Sequence, residues 1–289
     1  MGLPMVRNIL KHGYPVTAYD LVDSKIDEAV RAGAGRAHSC RAVAEQSDTV
    51  ITILPAAEHV KAAILGPDGA IEGLAAGSTL IEMSTVAAAT IYDIARLLMQ
   101  RKIRVLAAPV VKGVKGAVDG TLGIYAGGDP AVFEACRPLL ATMGTEIEYC
   151  GDLGSGNVVK LINNMVVGIS VCVLSEAIVL GAKAGVGPEV LLSSLGSGSA
   201  NSFVLQNHIK DHALTGHCPE GLFSIEYELK DLALALATAK DLGIPQHFAA
   251  LAHQTYEEAS ALGLAKNYYP AVIAVAERLA GVSVRPRAG

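Results

Sequence analysis

Two apolar periodicities follow one another along the 289 residues of this chain. Up to Gly151, short runs such as Thr49-Val50-Ile51-Thr52-Ile53-Leu54 alternate with stretches whose apolar residues recur every three or four positions. A short aliphatic run bounded by turn residues predicts a buried strand, and the wider spacing predicts a helix packed by one face. Helices are therefore expected over about 2–12, 24–32, 41–46, 58–65, 88–100 and 130–143, and strands at 15–19, 49–54, 79–83, 103–107, 122–126 and 146–150. Alternation at this spacing predicts an α/β domain with a parallel, doubly wound sheet. Beyond Gly151 the strand pattern stops, and helices are expected over 156–185, 188–195, 201–212, 225–242, 246–262 and 270–279. The chain is accordingly divided into an α/β domain, 1–152, and an all-α domain, 153–289, joined by the long helix at about 156–185. The tail from Ser283 to Gly289 has no periodic pattern and is expected to be loose.

Composition narrows the function. Apolar residues make up 51%, charged residues 18%, and the formal net charge is −5. This leaves no basic footprint for nucleic acid and no polybasic membrane patch. The cysteines are Cys40, Cys136, Cys150, Cys172 and Cys218, an odd number without close metal spacing, which predicts reduced thiols and a cytoplasmic setting. No secretory signal is read at the N-terminus, and the uncharged run Met165 to Leu174 is too short to span a bilayer.

The candidate chemistry lies in Gly154-Ser155-Gly156 and the helix it opens. Lys160, Asn163 and Asn164 stand there among Val, Ile, Leu and Met at i, i+3 and i+4, so they share a helix face. Burying an ammonium and two amides costs several kcal/mol unless each finds partners. A solvated lysine on a helix edge would satisfy the pattern; so would a proton-transfer lysine with amides that orient it. His208, His212, His217 and Cys218 have the residue types of a zinc site but form a lone cluster near a loop, and no metal is assigned. Ser197-Gly198-Ser199 lacks the strand–turn–helix setting of a nucleophile elbow.

A dinucleotide-binding domain starts with a strand, a glycine-rich turn and a helix whose N-terminus faces the pyrophosphate. This sequence starts at Met1-Gly2, already at the helix, and reaches Asp20 after one helix and one strand. Gly2 reads as the last glycine of such a fingerprint. A missed upstream start, a truncation and a true loss would each give this beginning; incompleteness is the preferred reading. A sheet lacking that strand would carry a gap and an open edge.

With these residues laid out, the chain resembles the β-hydroxyacid dehydrogenases, the family of 3-hydroxyisobutyrate dehydrogenase and tartronate semialdehyde reductase, with 6-phosphogluconate dehydrogenase more distant. The resemblance rests on Met1-Gly2-Leu3-Pro4-Met5, Glu82-Met83-Ser84-Thr85-Val86, Ala108-Pro109-Val110 with Gly116-Ala117 and Gly120-Thr121-Leu122, Gly154-Ser155-Gly156 through Lys160 and Asn164, and Lys230-Asp231-Leu232. It implies a Rossmann-like N-terminal domain, here without its first strand, a long interdomain helix and an all-helical C-terminal domain. It implies reversible hydride transfer between NAD(H) and a small β-hydroxy acid or semialdehyde, Lys160 being the general acid–base and Asn164 its catalytic partner. It also implies cofactor contacts at Gly2, Leu3, Asp20, Leu54, Pro55, Thr85, Phe223 and Lys230, substrate contacts at Val111, Lys112, Gly113, Asn163 and Asn164, and a homodimer or homotetramer.

The chain departs from the family where Asp-Ala-Pro-Val-Ser-Gly-Gly is usual. Here Ala107-Ala108-Pro109-Val110-Val111-Lys112-Gly113 places Val111 at the serine and Lys112 at the next glycine. Lys112 is expected either to meet a second anionic group on the substrate or to point to solvent. Glu82 replaces a usual Asp, and Ala88 a usual Pro. Lys230 has helix-surface pairing with Glu226 as its alternative role, and Phe223 has core filling. Asp20 favours the ribose diol over a 2′-phosphate, hence NAD over NADP. Semialdehyde or glyoxylate reduction with NADPH, an imine reductase (argued against by Lys160) and an impaired, truncated homologue without activity are the other readings.

Overall fold

The computed structural model of the protein describes residues 1–284; the expectation for the tail past Val284 lies outside the described residues. By its contacts the chain forms two compact units, Met1–Lys160 and the remainder from Leu161.

The first unit opens with α1 (Gly2–Lys11), β1 (Thr17–Ala18), α2 (Asp23–Arg31), β2 (Gly35–Arg36), α3 (Cys40–Ala44) and β3 (Thr49–Thr52). It continues through α4 (Ala57–Leu65), α5 (Ala70–Gly73), β4 (Thr79–Glu82), α6 (Ala88–Gln100), β5 (Arg104–Ala107), β6 (Val110–Val111), α7 (Gly113–Asp119), β7 (Leu122–Gly128), α8 (Pro130–Leu140) and β8 (Gly144–Tyr149). Local chemistry sets several boundaries. Ser39 caps α3 by accepting from Ala42 N, and Asp129 caps α8 by accepting from Ala131 N and Val132 N, with Pro130 at the first helical position.

The expected parallel sheet is corrected to a mixed one. β3, β4 and β5 pair in parallel, but β7 runs antiparallel to β5 and β6, and parallel to β8. A parallel return needs a crossover of a dozen or more residues, usually a helix. Between β5 and β7 the chain spends its length on β6 and the seven-residue α7, whereas α8 supplies the crossover from β7 to β8. β5 and β6 are in effect one strand interrupted at Pro109. The pairs Leu106–Gly128, Ala107–Gly127, Val110–Ile124 and Val111–Gly123 keep a single register along β7.

β1 and β2 form a separate two-stranded parallel sheet, and among the described residues no strand pairs with the other edge of β3. Met5 and Ile9 of α1 pack with Ile81, Leu106, Ile124 and Phe133 in one core on the sheet, while Val60, Ile64, Ile91, Ile94 and Leu98 build the other.

The second unit is helical. It comprises most of α9 (Ser155–Lys183), then α10 (Pro188–Ser197), a π-helical turn sequence over Val204–Ala213, α11 (Ile225–Asp241), α12 (His247–Ala259) continued by π-helical turns to Leu264, a short 3₁₀ segment and α13 (Ile273–Ala280). Its core holds Val171, Ile178, Leu205, Ile209, Leu232, Tyr256 and Ile273. By length and composition α9 could cross a membrane, with a mean hydropathy of 2.2 in its best window. The run Met165–Leu174 understated it, because the helix carries Lys160 and Glu176 within a longer apolar stretch. One side of α9 nevertheless meets buried carboxylates, described below, which hydrocarbon would not satisfy.

Candidate active site

The first turn of α9 is seated by glycines. A Cβ on Gly156 would overlap the carbonyl oxygen of Tyr125 in β7, and one on Gly127 would lie 2.6 Å from Asp152 O. Helix and strand thus touch backbone to backbone. Gly154 has φ +86°, and a side chain there would press on Tyr92 and Ala88 of α6. Asn157, 1% exposed, donates from Nδ2 to Val86 O at 3.2 Å. One turn on, Lys160 is buried at 8% exposure. The Gly154-Ser155-Gly156-Asn157 motif therefore sets the position and rotation of the helix that carries the lysine.

The residues expected on the cofactor side lie where strands of the first unit end. Asp20 follows β1, half-buried, and its Oδ1 accepts from Val22 N at 2.9 Å. Leu54 and Pro55 follow β3, and Thr85 follows β4. Gly2 opens α1 beside Ile53; a Cβ would find Ile53 Cγ2 at 3.7 Å, an ordinary contact, so protein packing does not demand a glycine there. Leu3 is half-buried in the same first turn. The Thr52 hydroxyl, buried at the end of β3, has no hydrogen-bond partner among the described residues. Strand ends of this kind, with an acid after one strand and a helix start beside another, are where a dinucleotide's ribose and phosphates sit in open α/β sheets. These residues fit a dinucleotide; the earlier turns of the glycine-rich fingerprint are not in this sequence.

In the substrate segment Lys112 is exposed. Its side chain forms an ion pair with Glu146 of β8, Nζ to Oε1 at 2.9 Å. Its backbone is left-handed, φ 77°, a conformation that suits the family's usual glycine. Val111 fills the face of β7 over Gly123, where a Cβ would lie 2.5 Å from Val111 Cγ2. Gly113 then opens α7.

Within the helical unit a buried polar row is assembled. Asn163 Nδ2 donates to Asn164 Oδ1 at 3.0 Å, and Asn164 Nδ2 donates to Asp231 Oδ2 of α11. Asp231 is fully buried, and its Oδ1 pairs with Lys230 Nζ at 3.1 Å. One turn further along α9, a Cβ on Gly168 would overlap Oε1 of Glu228, itself 1% exposed. Burial and the Glu228 charge push the Cys172 thiol up to about 12. Phe223 stacks on Tyr227 at 6.0 Å and meets Tyr269 edge-on at 5.6 Å. His208 Nδ1 faces the Tyr268 hydroxyl at 2.9 Å, and His212 Nδ1 faces His217 O at 2.9 Å. Sequence reading missed Asp231 as a holder of Asn164 and missed Glu228 altogether.

Comparison with known proteins gives the family. Residues 1–151 match the family described as the NAD binding domain of 6-phosphogluconate dehydrogenase, and residues 154–276 match the NAD-binding domain of NADP-dependent 3-hydroxyisobutyrate dehydrogenase. The chain is 36% identical over 284 residues to 2-(hydroxymethyl)glutarate dehydrogenase of Eubacterium barkeri, covering 98% of this chain and 94% of that one. It is 35% identical over 261 residues to 3-hydroxyisobutyrate dehydrogenase of Pseudomonas aeruginosa, covering 89% and 88%. The solved structure of Mycobacterium tuberculosis 3-hydroxyisobutyrate dehydrogenase with L-serine superposes with a TM-score of 0.88 at 27% identity, over 95% of this chain and 94% of that one. The chain belongs to the β-hydroxyacid dehydrogenase family of NAD(P)-dependent oxidoreductases.

Proposed function

We propose that the protein transfers hydride reversibly between NAD(H) and a small anionic β-hydroxy acid or its semialdehyde, with Lys160 as general acid–base. The observation that carries the reading is a buried Lys160 one helical turn ahead of Asn164, whose amide is oriented at both ends by Asn163 and Asp231. The nicotinamide, when bound, supplies the hydride acceptor or donor. As hydride leaves carbon, the hydroxyl proton must go to a base within hydrogen-bond reach, and Lys160 Nζ takes it. In reduction the protonated lysine returns it. Asn164 holds the substrate oxygen, its amide fixed beforehand so that little is lost in ordering it.

Asp20 supports NAD over NADP: its carboxylate, fixed by Val22 N–H, would accept from a ribose diol and repel a 2′-phosphate. The experiment is a rate screen with NAD and NADP against 3-hydroxyisobutyrate, 2-(hydroxymethyl)glutarate and L-serine, and with NADH against tartronate semialdehyde, succinic semialdehyde and glyoxylate. Lys160→Met should lower kcat on the order of a thousandfold and leave NADH affinity intact. Turnover by Lys160→Met near the wild-type rate would refute the lysine's role, and a lower KM for NADP than for NAD would refute that of Asp20.

The reading includes a cytoplasmic homodimer or homotetramer. Ile162, Val166, Val173 and Leu180 form an exposed apolar stripe on α9, which a second copy of the chain would cover. Sedimentation of an Ile162→Glu/Val173→Glu variant as a monomer, beside an oligomeric wild type, is the expected result; a monomeric wild type would exclude it.

A further inference from the structure

Glu82 and Ser84 tie together strand ends that the backbone ladder leaves apart. β3 and β4 are in register from Thr49–Thr79 to Thr52–Glu82, and the last ladder bond runs from Met83 N to Thr52 O at 2.8 Å. Past this point the two chains enter their loops, and parallel strands have no further backbone bonds to share. Side chains continue the connection. Leu54 N donates to Ser84 Oγ at 2.8 Å, and Ser84 N donates to Glu82 Oε1 at 2.8 Å. On the far side, Ala108 N donates to Glu82 O at 2.7 Å, so the end of β5 is held by the same residue. Glu82 and Ser84 are 1% and 2% exposed. A buried carboxylate is costly unless hydrogen-bonded, so its presence at a strand end needs a return. It accepts the N–H of the residue two positions on, as an Asx turn does, but with one more methylene of reach.

We propose that Glu82 and Ser84 are positioning residues for the cofactor: together they set the spacing between the Leu54–Pro55 loop and Thr85, and so determine how tightly the nicotinamide half of NAD(H) is held. This rests on the cofactor reading given above. Neither side chain touches the reacting atoms; each acts through the loops it holds. The side-chain connection runs from Leu54 N–H to Ser84 Oγ and from Ser84 N–H to the Glu82 carboxylate. Cutting either bond releases the same pair of loops, so the two truncations are predicted to have one phenotype.

The test measures NADH affinity by fluorescence, steady-state KM and kcat, and thermal unfolding for wild type, Ser84→Ala, Glu82→Ala, Glu82→Gln and Thr142→Ala. Thr142 donates from Oγ1 to Leu139 O at 2.7 Å in the same unit, so its variant loses a comparable buried bond elsewhere. Ser84→Ala and Glu82→Ala are expected to raise the NADH Kd and the KM for NADH roughly tenfold, the worth of one well-made hydrogen bond, with kcat within about twofold. Glu82→Gln keeps the length and an acceptor oxygen and should bind NADH within about threefold of wild type, as expected for retaining that hydrogen bond. Thr142→Ala should lower the melting temperature without moving the NADH Kd. Unchanged Kd in both truncations, or an equal rise in Thr142→Ala, would overturn the clamp while leaving the cofactor reading standing. A wild type that binds no NADH would overturn the cofactor reading itself, and the clamp with it.

Discussion

Gly168 of α9 and Glu228 of α11 meet with no side chain between them, the carboxylate lying where a Cβ on Gly168 would have to be. Gly168→Ala therefore gains helix propensity of about 1 kcal/mol but must displace a fully buried carboxylate, which costs about 1–3 kcal/mol. A net loss of about 1 kcal/mol is expected from urea unfolding. In Gly168→Ala/Glu228→Ala the loss should be smaller than the sum of the two single losses, because the clash needs both groups.

Asp231 should matter for rate as well as for stability. Asp231→Ala removes the acceptor of the buried Asn164 amide and the partner of Lys230. Leaving that amide without its acceptor costs about 1–3 kcal/mol in unfolding free energy. Freed to turn, Asn164 would hold substrate poorly, and kcat/KM is expected to fall on the order of a hundredfold. Steady-state assays beside chemical denaturation separate the two effects.

Lys112 combines strain with charge, and two variants separate them. Lys112→Gly relieves a left-handed backbone worth roughly 1–2 kcal/mol and loses an exposed ion pair worth at most about 1 kcal/mol, so unchanged or raised stability is expected. Lys112→Ala keeps the strain and loses the pair, so it should be less stable than Lys112→Gly. With the ammonium already paired to Glu146, both variants should leave the substrate KM within about twofold, since an exposed pair contributes little.

Burial, with repulsion from His212, holds His208 down at about 4 against an ordinary 6.5. The folded protein therefore carries this ring neutral while the unfolded chain takes up a proton below pH 6.5. Its contribution, on the order of 3 kcal/mol, is fully present above about pH 6.5, falls as the pH drops, and is gone below about pH 4. Unfolding midpoints measured between pH 4 and 7 should show this slope. His208→Asn, which keeps an acceptor for the Tyr268 hydroxyl, should flatten it.

Much of the element order is legible in the sequence because helical and strand periods are carried by neighbouring residues. Helix α6 falls on Ala88–Gln100, as its apolar spacing predicts. Strand direction is not carried that way: a buried run reads the same in either sense, and the alternation of helices and strands predicts a parallel β7 where the fold turns it antiparallel to β5. β6 and α7 escaped because Pro109 and a run of glycines break the period within a few residues. In the candidate site, Lys160 and Asn164 stand out as polar residues in an apolar helix. Asp231 and Glu228 do not, since acids on a helix usually mark its solvent face. Their burial is decided by α9, more than fifty residues earlier in the chain, where Asn164 offers a donor and Gly168 offers room.

The backbone contact between Gly156 and Tyr125 has a bearing on how such a chain diverges. Where a helix rests on a strand through side chains, each exchange of Val, Leu or Ile can roll the helix by a few degrees. Here the first turn of α9 leans on a carbonyl oxygen, which no substitution changes. The bearing of Lys160, one turn on, is inherited from the main chain of β7. Aliphatic residues beneath the helix can then drift through many generations without turning the lysine aside, provided the glycine is kept.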